Sequence, residues 1–178
     1  MIMDRLKQEG KRLNAIPLLE LSEIDRYREY CLGYFFEVSV DNYEYFLEYC
    51  KNNNIKGVVD IGCCMGYQSE LFLNNGIDYV GIDDTLNSFW NEDRAKYETK
   101  EYPYDLVGYE DYLAISNLCL GWNCYLYNGI ETLEGQFKQL TKDFNRSLIS
   151  MQKDNVKHIS KYFKEVNNIQ GNIFELIR

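Results

Sequence analysis

The period of apolar positions changes several times along this chain, and each change marks an element. Residues 3–14 form a short polar segment of helical character that ends near Asn14, because Pro17 bars a simple continuation. Leu18, Leu19, Leu21, Ile24, Tyr27, Tyr30, Cys31 and Tyr34 then recur at steps of three and four, which predicts one helix or two short ones over 18–36. Tyr43, Phe46, Leu47 and Cys50 fall at i, i+3, i+4 and i+7, the face of a clearer helix capped by Asp41 and ended by Asn52-Asn53-Asn54. The pattern next shortens. Gly57–Ile61 is β-branched and continuous, as a buried parallel strand should be. A helix over about 67–74 follows, stopped by Asn75-Gly76, and Tyr79–Ile82 is a second strand.

Further along, a helix is expected over about 85–95, a poorer strand at Lys96–Lys100, and a connection holding Pro103. Tyr112–Ser116 is the next buried strand, with Asn117 at its tip. Ile130, Leu133, Phe137, Leu140 and Phe144 mark a helical face, and Ser147–Met151 another strand. Val156, Ile159, Phe163 and Val166 predict a final amphipathic helix before a last strand at Ile173–Ile177. Strands alternating with helices predict a mostly parallel sheet covered on both faces. No repeat or linker divides the 178 residues, so 1–178 is read as one domain, with 1–40 a helical N-terminal extension or lid.

Charge and cysteine narrow the function classes. The net charge of −9 is uneven: residues 1–14 and 138–178 carry a basic excess, and the middle is acidic. An acidic centre argues against a nucleic-acid partner and mildly favours a cationic ligand. No apolar run approaches the ~18 residues of a membrane span, and charges interrupt the N-terminus before a signal core forms, so a cytoplasmic protein is expected. The six cysteines show no Cys-x-x-Cys spacing and His158 is the only histidine, so reduced thiols and no metal site are expected. The adjacent thiols Cys63 and Cys64 invite a redox switch that stiffens their loop.

The chemistry concentrates at residues 57–83. A tight strand-to-helix turn needs residues with unusual backbone freedom, which Gly62 and Gly66 supply. A helix beginning near Gly66 would present amides and a positive dipole end to a ligand. Asp60, at the end of the first strand, could orient the loop or accept from a ligand ammonium. Asp83, at the end of the second, can accept both hydroxyls of a ribose.

Val-Val-Asp-Ile-Gly-Cys-Cys-Met-Gly-Tyr at 58–67 resembles the first motif of class I S-adenosylmethionine-dependent methyltransferases, and Gly-Ile-Asp at 81–83 is similar to their second. The resemblance implies a Rossmann-like three-layer sandwich with helices on both faces of the sheet, and S-adenosylmethionine as cofactor. It implies that Asp60, Gly62, Cys63, Cys64 and Gly66 surround the methionine moiety, that Asp83 holds the ribose, and that Asp84 lies near the adenine. Cys64 stands where the family's central glycine is common, so its Cβ could crowd the cofactor. Asp105 is a weak candidate for a third-motif contact. Asn117 replaces an acid often found at the fourth motif, and after Met151 the chain looks short for the family's closing hairpin.

Asn117 and Trp122 are candidates on the substrate side, the first orienting a polar atom and the second walling the pocket; a turn or cap residue and a core residue are the plainer alternatives. The expected activity is methyl transfer to a small molecule or protein group. The alternative is a non-catalytic methyltransferase-fold module that serves in binding or interaction. A nicotinamide dehydrogenase is disfavoured, because Cys64 occupies the second glycine of its fingerprint. The acceptor and the oligomeric state are left open.

Overall fold

Among the described residues, seven strands form one sheet. A computed structural model describes residues 2–83, 98–100, 106, 108–117 and 133–178. Helix α1 (Ile2–Asn14) leads to α2 (Glu23–Tyr34), which Ser22 caps by accepting the Asp25 amide. A wide π-type turn, Phe35–Ser39, passes without a break into α3 (Val40–Asn52). Asp41 therefore lies inside the first turn of α3 and starts no helix, a correction to the expected cap. Then come β1 (Gly57–Ile61), α4 (Ser69–Leu73), β2 (Asp78–Ile82), β3 (Glu98–Lys100) and β4 (Leu113–Ser116). The chain closes with α5 (Leu133–Asp143), β5 (Arg146–Ser150), α6 (Lys153–Ile159), β6 (Glu165–Gln170) and β7 (Ile173–Ile177).

The strand order is β3-β2-β1-β4-β5-β7-β6; β1 to β5 pair in parallel, and β7 runs antiparallel to both β5 and β6. The period of two along each central strand divides the core. Val58, Tyr79, Ile115 and Leu148 meet Leu13, Leu32, Phe46 and Phe72 from α1 to α4 on one face. Val59, Val80, Ala114 and Ile149 meet Phe137, Leu140 and Ile159 from α5 and α6 on the other. Burying such a side chain contributes roughly 1.5–3 kcal/mol, so both layers are needed to offset chain entropy. This is the expected three-layer α/β sandwich with a mostly parallel sheet.

The C-terminus differs from expectation. The helix over Val156–Val166 does not form: α6 ends at Ile159, one tighter turn covers Ser160–Tyr162, and Phe163 is extended at φ −118°, ψ 147°. Gly171, at φ 54°, lets β6 fold back on β7, and the Phe163 ring meets Phe137 edge-on at 6.1 Å. The closing hairpin, for which the chain looks short, is present. The expected helix at 85–95, Pro103 and Ile130 lie outside the described residues. Among the described residues no helix is long and apolar enough to cross a membrane.

Candidate functional site

Strand β1 delivers Asp60 to the carboxyl edge of the sheet, and the chain then turns through Gly62 (φ 76°), Cys64 (φ 51°) and Gly66 (φ 67°). All three backbones are left-handed, so Cys64 holds the conformation that a glycine would adopt freely. The turn is fastened to β2. The amides of Gly62 and Cys63 donate to the Ile82 carbonyl at 2.7 and 3.1 Å, and the Cys64 amide donates to Asp83 Oδ2 at 2.8 Å. The Gly66 amide donates to the Cys63 carbonyl at 2.9 Å. Helix α4 begins only at Ser69, so no helix N-terminus stands at Gly66 as expected. The polar surface beside Asp83 is built by the turn.

Asp60 is fully buried on the face covered by α1 to α4. A carboxylate taken out of water needs donors, and three converge on it. Tyr79 donates from β2 at 2.6 Å, Tyr43 from α3 at 3.2 Å, and Gln68 Nε2 at 2.5 Å. Gln68 also donates to the Cys63 carbonyl at 2.9 Å, so it ties the end of β1 to the turn. Burial raises the Asp60 carboxyl to about 6 against the pull of these donors, and it pushes both tyrosine hydroxyls well above their ordinary range. Of its two expected roles, orienting the loop is the one this geometry performs.

The Cys64 side chain faces α2, where its Sγ lies 3.1 Å from Cys31 Sγ and 4.0 Å from the Tyr27 hydroxyl. Cys63 points elsewhere, toward Gly81 of β2. At the tips of β4 and β5, Asn42 of α3 donates to Asn117 Oδ1 at 2.5 Å and to Ser150 Oγ at 3.3 Å. Asn117 Nδ2 donates to Ser39 Oγ at 2.7 Å. The structure thus brings Asp60, Gly62, Cys63, Cys64, Gly66 and Asp83 into one edge region, and ties Asn117 to the helical rod above the neighbouring strand tips. Asp84, Asp105 and Trp122 lie outside the described residues. Among the described residues no group of three or more His, Cys, Asp or Glu side chains could hold a metal.

Sequence reasoning missed Gln68, Asn42 and the partnership of Tyr43 and Tyr79 with Asp60. A buried acid implies donors, but two tyrosines among the sixteen in the chain carry no mark of which acid they serve.

Strand order and direction now decide the fold. The chain reverses its direction of winding between β1 and β4, and Asp60, the turn and Asp83 sit at the carboxyl ends of β1 and β2 beside that switch point. Magnesium protoporphyrin IX methyltransferase of Synechocystis, solved with bound SAM, is similar over 96% of this chain and 90% of its own, with a TM-score of 0.58 at 13% identity. The fold is that of the SAM-dependent methyltransferases. WbdD, a bifunctional kinase-methyltransferase, gives a TM-score of 0.55 at 14% identity over 79% of this chain. This methyltransferase-fold chain spans 40% of the length of WbdD. No family profile and no curated protein matches it.

Proposed function

We propose that this methyltransferase-fold protein binds S-adenosylmethionine and transfers its methyl group to a small molecule or a protein group. The observation that carries the reading is the meeting of Asp83 with the turn after β1: a carboxylate at the tip of β2 lies 2.8 Å from an amide of a turn with three left-handed residues. The Asp83 carboxylate suits an adenosine-type ligand, which offers ribose hydroxyls to such an acceptor and passes close to backbone at a turn. Asp83 would hold the ribose, and the turn residues Gly62, Cys63, Cys64 and Gly66 would face the methionine moiety. Because Asp83 also accepts the Cys64 amide, docking on that carboxylate is coupled to the conformation of the turn. Asp60 acts one step back by fixing the turn through Gln68. S-adenosylmethionine would supply an activated methyl on sulfonium. Such a displacement needs alignment more than a dedicated acid or base. Asn117, Asp84 and Trp122 remain the proposed contacts for acceptor and adenine, and residues 1–40 a helical N-terminal extension or lid within one domain.

Titration calorimetry of the full chain with S-adenosylmethionine and S-adenosylhomocysteine tests the reading, with NAD as control. Micromolar binding of the sulfur ligands that is lost in Asp83→Ala is expected; the absence of binding by both would sink it.

A second reading, a non-catalytic binding module on the same fold, draws on the occupied side chains: both polar ends of Asn117 are bonded within the protein. Cofactor binding with no labelled methyl reaching any acceptor in a broad substrate screen would favour it.

A further inference from the structure

Cys31 and Cys64 are 33 positions apart in sequence, yet their sulfurs stand 3.1 Å apart, closer than any contact the adjacent Cys63 makes with Cys64 through its own sulfur. Cys63 Sγ instead donates to the Cys64 carbonyl at 3.6 Å, and a Cβ built on Gly81 would lie 2.7 Å from it. The sulfur beside Cys64 is therefore that of its neighbour in space. Cys31 is buried on the inner side of α2, whereas Cys64 is half-buried, so Cys64 is the more accessible thiol of the two. The cofactor reading gives Cys31 no role.

We propose that Cys31 and Cys64 form a peroxide-sensitive dithiol whose oxidation to a disulfide clasps helix α2 to the turn after β1. The two thiols differ in character. The bond from Cys31 holds the Cys64 thiol below its usual range, while that bond and burial push Cys31 up. Cys64, the more accessible of the pair, is the nucleophile toward hydrogen peroxide. Its thiolate attacks one oxygen, the O–O bond breaks, and Cys64 sulfenic acid forms as hydroxide leaves and takes up the proton that the Cys64 thiol released, giving one water. The Cys31 sulfur then attacks the Cys64 sulfur; the S–O bond breaks, and hydroxide leaves as a second water with the Cys31 proton. Both thiols are oxidised and the peroxide is reduced to two waters. The clasp holds whether or not the turn binds a cofactor, so it stands independently of the proposed activity.

Peroxide titration of the full chain followed by a non-reducing peptide mass map tests this. A Cys31–Cys64 cross-linked peptide is expected as the main oxidised product, reversed by dithiothreitol and still formed in Cys63→Ser. In Cys31→Ser, Cys64 should stop at a sulfenic acid that dimedone traps. Hydrogen exchange across α2 should slow on oxidation of the wild type and not of Cys31→Ser. A dominant cross-link between any other pair, with Cys119 and Cys124 included, would overturn the proposal. So would a wild-type chain that keeps a trappable sulfenic acid at Cys64 beside a reduced Cys31. If Cys31→Ser does not fold, the wild-type map decides alone.

Discussion

At the scale of a single residue, Cys64 is the position where chain and family resemblance differ most usefully. Its φ of 51° is the conformation a glycine would adopt freely, and an L side chain there costs roughly 1–2 kcal/mol. Glycine loses more freedom on folding, which offsets roughly 0.5–1 kcal/mol of that. Both Cys64→Ala and Cys64→Gly lose the sulfur, so comparing them isolates the backbone. We expect the glycine variant to be more stable than the alanine variant by about 0.5–1 kcal/mol in urea unfolding; equal midpoints would mean that the turn relaxes around a Cβ. Gly81 gives a second residue-scale test. A Cβ there would sit 2.7 Å from Cys63 Sγ in a closed core. Gly81→Ala should destabilise by about 1–3 kcal/mol. Adding Cys63→Ala should recover part of the loss, and strict additivity of the two changes would count against the contact.

At the scale of elements, the same substitution should have opposite signs in two places. Gly10 lies inside α1 with open space where a methyl would be added, so Gly10→Ala should stabilise by up to about 1 kcal/mol through helix propensity. Gly171 holds the β6–β7 turn at φ 54°, so Gly171→Ala should cost about 1 kcal/mol. Thermal unfolding of the two variants checks the pair, and a shift of the same sign in both would refute it. This hairpin is also the element least well anticipated. Val166 and Phe163 extended a helical spacing from Val156, but Gly171-Asn172 between two short runs is itself a two-residue hairpin signal. The apolar period won because β6 is an edge strand with mostly exposed side chains, which gives it no alternating pattern to read. The central strands were legible for the converse reason: Gly57–Ile61 and Leu113–Ser116 are buried throughout, and their composition says so.

At the scale of the whole molecule, the candidate site was legible as a location and less so as a set of contacts. The glycine-rich turn and two strand-end acids are local in sequence, whereas the donors on Asp60 arrive from α3, β2 and the turn only when the sheet closes. The same cluster sets a pH dependence. Asp60 is raised to about 6, above an unfolded value near 3.9. The folded state therefore binds more protons between these values. The stabilisation linked to this proton is complete below about pH 4 and is lost as pH rises through about 6. Relative to Asp60→Asn, the wild type should gain on the order of 2 kcal/mol between pH 7 and pH 4. Chemical denaturation across that range measures it, and parallel curves would show that Asp60 titrates as it does in the unfolded chain. If the variant does not fold, carbon NMR of the Asp60 carboxyl gives the midpoint directly.

The uninterrupted passage from α2 through Phe35–Ser39 into α3 works as a phase adjuster. Cys31, before it, meets the turn after β1, while Asn42 and Tyr43, after it, meet Asn117 and Asp60. Each residue of a regular helix advances the direction of its side chain by about 100°. Shortening the wide turn by one residue would keep the rod helical while rotating everything beyond it by about that angle. Tyr43 would swing off the buried acid and Asn42 off the strand tips, while Cys31 stayed in place. Substitution of the exposed Glu37 within this stretch should thus be tolerated far better than any change in its length, whereas Phe35 and Ser39 are held by the core and by Asn117.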